Sequence, residues 1–336
     1  MFARILGGVV VLAVAVALLV AGWPQLFGLQ RASGVAQVVA LRGSAAAAAL
    51  ALVLLFTLLA LLSRGARRFM ASLAIVLLAF VGLTAAVLGS RGIGDPAMPT
   101  PADGDIRVLA WNTLGDAPGA AAITELVLET GADVVALPET TWAFAGEVVD
   151  WLAAEGVTMQ RFTGAYDQIS KARSTTLLVS TRLGEYEADL TAPTTSQLPS
   201  VVVTPVDGTG PTIIALHVVA PIQGEMAGWR TDLKWLAQQC SQEDLIVAGD
   251  ANSTLDHWAG LGEDGAAIGR CTDAAAETGN AAAGTWPTVL PQLLGTPIDH
   301  VLTGGAWSAA GFRVIGSHDG DGSDHRPVFA LLSPVG

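Results

Sequence analysis

The first 94 residues contain no aspartate and no glutamate, only seven arginines: Arg4, Arg31, Arg42, Arg64, Arg67, Arg68 and Arg91. Within them, three uncharged apolar runs cover residues 5–23, 44–62 and 69–89, each 19 to 21 residues long. At about 1.5 Å of rise per helical residue, each run can cross a hydrocarbon core of roughly 30 Å. The runs therefore read as three transmembrane α-helices in a membrane domain of residues 1–91. A cleaved leader would explain only the first, and buried core helices are the competing reading of the other two.

Arginine in short loops sets the expected orientation, because such loops are retained on the cytoplasmic side. The hairpin at 63–68 is the densest positive loop. With the N-terminus inside, three spans place everything after residue 89, down to Gly336, on the extracytoplasmic side of the cell membrane. The loop 22–43 reads as a connector, although Trp23, Pro24, Phe27 and Leu29 would also suit a membrane interface. Residues 92–104, with Pro96, Pro99 and Pro101, read as a stiff linker; at about 3.1 Å per residue its reach is on the order of 40 Å.

After that linker the charge reverses. All 30 acids follow Gly94, with only ten of the 17 basic residues, a formal charge of −20. Nucleic acid is an unfavourable partner for such a surface, since backbone binding needs clustered Lys and Arg. Lys171 and Arg173 form one short basic cluster, either a phosphate contact or a solvated pair. Cys240 and Cys271 are too few for a disulfide scaffold and too widely spaced for a zinc site, which leaves one bridge or none.

From residue 106 onward, short β-rich runs end in polar residues. IRVLAW runs into Asn112, DVVALP into Glu139, TIIAL into His217 and LIVAG into Asp250 and Asn252; PIDHVL contains Asp299, and SDHRPV contains Asp324 and His325. Any one of these is explained as a turn residue. Together they supply what phosphoester hydrolysis needs: oxygen ligands for a hard cation, a carboxylate for water, and imidazoles to meet phosphoryl charge. Apolar residues at helical spacing in 119–130 and 229–240 add helices, which suits two packed sheets covered outside by helices.

The ordered set LAWN, VVALPET, IIALHVVAP, VAGDANS, PIDHV and GSDHRPV resembles the endonuclease/exonuclease/phosphatase superfamily over roughly residues 106–332. The resemblance implies an α+β fold, a four-layer α/β/β/α sandwich preceded by three transmembrane α-helices, with a catalytic domain of 105–336. It also implies Mg²⁺, or Mn²⁺ or Ca²⁺, held by Glu139 with Asn112 and Asp324. In the same pattern Asp250 would deprotonate the attacking water and Asn252 would place water or phosphate. Asp299 would fix the tautomer of His325, which with His217 would meet phosphoryl oxygens. His300 and His318 have no role in it. Pro138 and Ala251 depart from common family residues and bear on pocket shape, not on a reacting group.

Fold and site specify the reaction better than the substrate. The anchor next to the catalytic domain favours a lipid or small-molecule phosphoester at the outer membrane surface. An extracytoplasmic nuclease is the alternative, and a non-catalytic binding component is a third. The segment 260–296, with Trp286, is either a substrate-selecting loop or a surface connection whose tryptophan joins the core.

Overall fold

The computed structural model describes residues 2–94, 97–166 and 170–335; Pro96 of the linker and the terminal Gly336 lie outside the described residues. The chain opens with α1 (Phe2–Gly22), α2 (Val35–Ala40), α3 (Arg42–Leu62) and α4 (Arg67–Arg91). Of these, α1, α3 and α4 are long and apolar enough to cross a membrane. Ala49, Leu77 and Phe80 are buried among them, while Leu54, Leu61 and Ile75 point outward. An outer surface of that kind suits hydrocarbon rather than water.

The rest of the chain is built on two six-stranded sheets. One contains β1 (Ile106–Ala110), β2 (Val134–Pro138), β3 (Met159–Ala165) and β4 (Ser174–Ser180), together with β11 (Trp307–Val314) and β12 (Val328–Pro334). Its strand order is β11-β12-β1-β2-β4-β3. The other contains β5 (Tyr186–Ala188), β6 (Val201–Pro205), β7 (Thr212–His217), β8 (Leu245–Asp250), β9 (Thr272–Asp273) and β10 (Asp299–Thr303), in the order β5-β6-β7-β8-β10-β9.

Side-chain alternation sorts the layers. Val108, Ala110, Val134 and Ala136 of the first sheet meet Ile213, Ala215, Ile246 and Ala248 of the second in a shared core. The opposite faces pack under helices. Leu109, Val135 and Leu137 lie beneath α5 (Gly119–Thr130) and α6 (Trp142–Ala154), which contribute Ile123, Leu126 and Val148. Ile214, Leu216 and Val247 lie beneath α7 (Met226–Gln239), through Trp229, Leu233 and Leu236. This is the four-layer α/β/β/α sandwich. Short helices α8 (Leu255–Trp258) and α9 (Ala274–Glu277) complete it.

Two segments are more than the connectors their sequence implies. In the loop 22–43, Ala36 is fully buried in the α7 core beside Trp229 and Trp258. The linker is held as well: the backbone N–H of Ala282 donates to the carbonyl of Gly92 at 2.9 Å, and Met98 joins the core beneath α5 and α6. Small and apolar side chains find sites there that a tethered chain would leave empty. Cys240 and Cys271 are bridged, with Cα atoms 5.2 Å apart, at the far end of α7.

At that far end Asp133 ties strands together. It accepts from the backbone N–H of Arg107 at 3.0 Å and pairs with the guanidinium groups of Arg107 at 3.1 Å and Arg182 at 2.6 Å. Burial opposes its ionisation, but hydrogen bonds from Arg182 and then Arg107 outweigh this and hold its pKa below the ordinary value. A depressed carboxylate pKa gives stability that is complete above the unfolded value near 4 and is lost as pH falls through the folded one. Asp133→Asn is expected to lower the melting temperature at pH 7, with the gap to wild type narrowing below about pH 4. A gap that stays constant from pH 7 to pH 3 would contradict this account.

Candidate active site

Strand register assembles the site. His217, Asp250 and Asp299 stand side by side across β7, β8 and β10, since His217 pairs with Asp250 and Asp250 with Asp299 in the ladder. Gly249 is required just before Asp250, because a Cβ there would come within 2.2 Å of the Leu216 carbonyl oxygen. From the other sheet come Asn112 just past β1, Glu139 directly after β2, and Asp324 and His325 before β12. Glu139 and Asn252 both adopt positive φ, 60° and 43°, conformations that cost energy and that functional sites retain. Trp111 Nε1 donates to the His325 carbonyl at 2.9 Å, and Ser323 Oγ to the Asn112 carbonyl at 2.6 Å, so the two motifs of this sheet are braced together.

Asp250 is fully enclosed by donors. Its carboxylate accepts from Asn112 Nδ2 at 3.1 Å, from Asn252 Nδ2 at 3.0 Å and from the Asn252 backbone N–H at 2.8 Å. Burial pushes its pKa up; His325 pulls it back and Asp299 adds to the rise. Asn112 Nδ2 also reaches Glu139 Oε1 at 3.2 Å, while Asn112 Oδ1 accepts from the Leu114 N–H. Asn112 thus presents its donor, not its oxygen, to the two carboxylates.

The two histidines differ in charge. His325 Nδ1 donates to Asp299 Oδ2 at 2.9 Å, and its Nε2 lies 3.9 Å from both Asp250 Oδ2 and Asp324 Oδ1. Burial works against its protonation, but Asp299 and then Asp250 prevail and push its pKa up to about 10. His217 lies 3.3 Å from Thr175 Oγ1 and 3.9 Å from Glu139 Oε1. Burial, reinforced by the charge of His325, lowers its pKa to about 3. One imidazole is thus favoured as a cation and the other as a neutral ring.

The donor set also fits a hard cation. Glu139 is raised above its ordinary pKa by burial and by the charge of Asp324. Asp324 accepts from Trp286 Nε1 at 2.8 Å through Oδ2, while its buried Oδ1 has no hydrogen-bond partner among the described residues. Two carboxylates close enough for the charge of Asp324 to raise the Glu139 pKa, one of them with an unpartnered buried oxygen, suit an oxygen-seeking divalent ion. Asp250, Asp299 and His325 also offer ligand atoms within 4.8 Å of one another. In that second trio His325 is committed to Asp299 and protonated, so the Glu139 and Asp324 carboxylates suit an ion better.

The remaining sequence candidates sit at the rim or away from it. Lys171 Nζ lies 3.1 Å from Asp116, whose carboxylate accepts from the backbone and hydroxyl of Thr141, two residues after Glu139. Arg173 reaches Gln197 Oε1 at 3.5 Å. His300 is buried between Asp273 at 2.7 Å and the Ser253 carbonyl at 2.9 Å, bracing the loop that carries Asn252. His318 pairs with Asp321 at 2.6 Å and packs edge-on against Trp111. Trp286 belongs to the site through Asp324. Thr175 and Asp256 gave no sequence signal, because each acts through partners distant in the chain, and His257, which caps α8 locally through the Thr254 N–H, reaches the Ala36 carbonyl 221 positions away.

Two sheets thus deliver carboxylates, amides and imidazoles to one end of the sandwich. The model of the Endonuclease/Exonuclease/phosphatase family matches residues 109–325, and the chain belongs to that family, whose members hydrolyse phosphoester bonds. No curated protein matches the chain. Among solved structures, D. rerio TDP2 complexed with single strand DNA product is 20% identical, with a TM-score of 0.51, covering 69% of this chain and 100% of that one. An endonuclease/exonuclease/phosphatase from Beutenbergia cavernae DSM 12333 is 18% identical, with a TM-score of 0.51, covering 69% and 72%. At such identities the likeness is one of fold.

If Asp299 is what holds the proton on His325, Asp299→Asn should bring the His325 pKa down from about 10 toward the ordinary value. Imidazole resonances followed by NMR across pH 5–11 would read it. An unchanged titration would show that Asp250 and Asp324 suffice.

Proposed function

We propose that the chain is a membrane-anchored, metal-dependent phosphoesterase acting on a lipid or small-molecule phosphodiester or phosphomonoester at the outer membrane surface. The observation that carries the reading is Asp324, with an unpartnered carboxylate oxygen and a charge felt by Glu139, beside a buried Asp250 and a protonated His325.

In this reading Glu139 and Asp324 would hold Mg²⁺ or a similar divalent ion, while Asn112, expected from the sequence as a ligand, instead donates to the Glu139 and Asp250 carboxylates and keeps them in place. When bound, that ion supplies Lewis-acid neutralisation of phosphoryl charge. Asp250, its pKa raised by burial, takes the proton from the attacking water, and Asn252 fixes that carboxylate through its backbone and side-chain N–H groups. His325, charged and oriented by Asp299, donates from Nε2 to a phosphoryl oxygen, and neutral His217 donates a second hydrogen bond. Lys171 and Arg173 lie in the segment next to the mouth and can contact the far side of a substrate headgroup. The arginine-rich 63–68 hairpin supports an extracytoplasmic catalytic domain.

A nuclease is the second reading, favoured by the fold likeness to a protein solved with single-stranded DNA product. The −20 charge after Gly94 weighs against it. Both readings are tested with the purified full chain, screened on phospholipids, inositol phosphates, nucleotides and DNA with Mg²⁺ or EDTA. Hydrolysis of a lipid or small phosphoester is expected, lost in EDTA and reduced by at least about 10²-fold in Asp250→Ala or Glu139→Ala. Hydrolysis that survives either substitution would overturn the mechanism, and salt-sensitive cleavage of DNA alone would favour the nuclease.

A further inference from the structure

The N-terminal segments do not meet the sandwich at random. Every polar contact described below falls on loops that leave or enter the catalytic strands at the end where the site lies. After β7, the Pro221 carbonyl accepts from Gln37 Nε2. After β8, Asp256 accepts from Arg42 Nε and Nη2 at 2.7 Å, from Arg91 Nη2 at 2.8 Å and from Gln25 Nε2 at 2.8 Å, with its carboxylate 3% exposed. His257 Nε2 lies 3.0 Å from the Ala36 carbonyl, and Gln30 donates to that of Ala259 at 2.8 Å. Before β10, Ser44 Oγ donates to the Leu294 carbonyl at 2.8 Å. Gly43 packs so closely on Leu293 that a Cβ would fall 1.8 Å from its carbonyl oxygen.

Arg42 opens α3 and Arg91 closes α4, so these contacts lie at one common end of the apolar helices. The segment 286–294 then spans the gap. At one end Trp286 bonds Asp324, and the Thr288 N–H donates to the Asp324 carbonyl at 3.0 Å; at the other, Leu293 and Leu294 touch the first turn of α3. Between them Val289 is 85% exposed and Leu293 49%, and Ile222 of the β7 loop is 59% exposed. Among the described residues nothing covers these apolar side chains, and they stand at the end of the sandwich where the apolar helices meet it, the level at which a bilayer crossed by those helices would present its surface.

We infer that the mouth of the active site is seated on the headgroup layer of the bilayer that its own helices cross, with Val289, Leu293 and Ile222 as the lipid-facing rim and the Arg42–Asp256–Arg91 cluster fixing its orientation. This rests on the proposed function and deepens it, since the substrate is then a phosphoester carried at the bilayer surface.

The test uses the full chain reconstituted in phosphatidylcholine and phosphatidylglycerol vesicles containing nitroxide-labelled lipid. A fluorophore is placed on a single introduced cysteine, Val289→Cys, Ile222→Cys or Thr209→Cys. Thr209 is exposed in the turn before β7, at the opposite end of the sandwich. Quenching at positions 289 and 222 at least about threefold above that at 209 is expected, and it should fall toward the 209 level when Asp256→Asn loosens the cluster. Equal quenching at all three positions would overturn the inference, as would strong quenching at 289 that is indifferent to Asp256→Asn. An inert full chain in the phosphoester screen would sink the proposed activity while leaving the quenching pattern intact, so the two failures are distinguishable.

Discussion

A single carboxylate, Asp256, lies buried against two guanidinium groups from different helices, and with the Gln37, Ala36 and Ser44 contacts it joins the two halves of the molecule. Removing an ion from water costs several kcal/mol, recovered only when geometry and hydrogen bonds are good. Four donor contacts at 2.7 to 2.8 Å meet that condition, and burial, which would raise the Asp256 pKa, is overcome by Arg42 and Arg91, which hold it well below the carboxylate range. Loss of one partner from such a cluster costs about 3–5 kcal/mol, because the charge left behind has no water to turn to. The sandwich and the apolar helices are therefore not independent bodies on a loose tether.

The position of Asp256 connects that joint to the chemistry. It lies in α8, a few residues beyond Asn252, and the intervening chain is pinned on every side: Trp229 Nε1 donates to the Asn252 carbonyl at 3.0 Å, Trp258 Nε1 to Ser253 Oγ at 2.8 Å, and His300 holds the Ser253 carbonyl. Asn252 keeps a positive φ because its surroundings over-determine it. A strained residue that orients Asp250 is thus supported from below by aromatic N–H donors and from the side by arginines of the apolar helices.

Much of this was legible in the sequence because it is local. Asn112, Glu139, His217 and Asp250 each end a run of alternating or continuous apolar residues, and strand ends on one side of a sheet converge whatever the details of packing. The three long helices follow from length and composition alone. The docking of residues 22–43 was not legible. Arg42 and Asp256 are 214 positions apart, and nothing in either neighbourhood marks a partner. The bridge between Cys240 and Cys271 was open for the same reason, since pairing is a distance and a sequence contains none. Trp286 hid its role because a tryptophan in a Gly- and Ala-rich loop reads equally as core or as site, and only the position of Asp324 decides.

The clearest case of environment overriding identity is the pair of histidines. His217 and His325 have the same side chain, the same depth of burial and a shared pocket. Burial alone would make both neutral. His325 escapes because Asp299 contacts it at 2.9 Å with two further carboxylates at 3.9 Å, a local negative charge that exceeds the desolvation cost. Among the described residues His217 faces a threonine hydroxyl and one distant glutamate, and it feels the positive charge of its neighbour. Proton occupancy is thus divided within one site. In the proposed reaction the fixed cation would attract a phosphoryl group, while the neutral imidazole would add a hydrogen bond without a second positive charge that would have to be buried. Asp299, bonded to His325 and paired with Asp250 across the strand ladder, is therefore the carboxylate that sets how the two imidazoles divide the work.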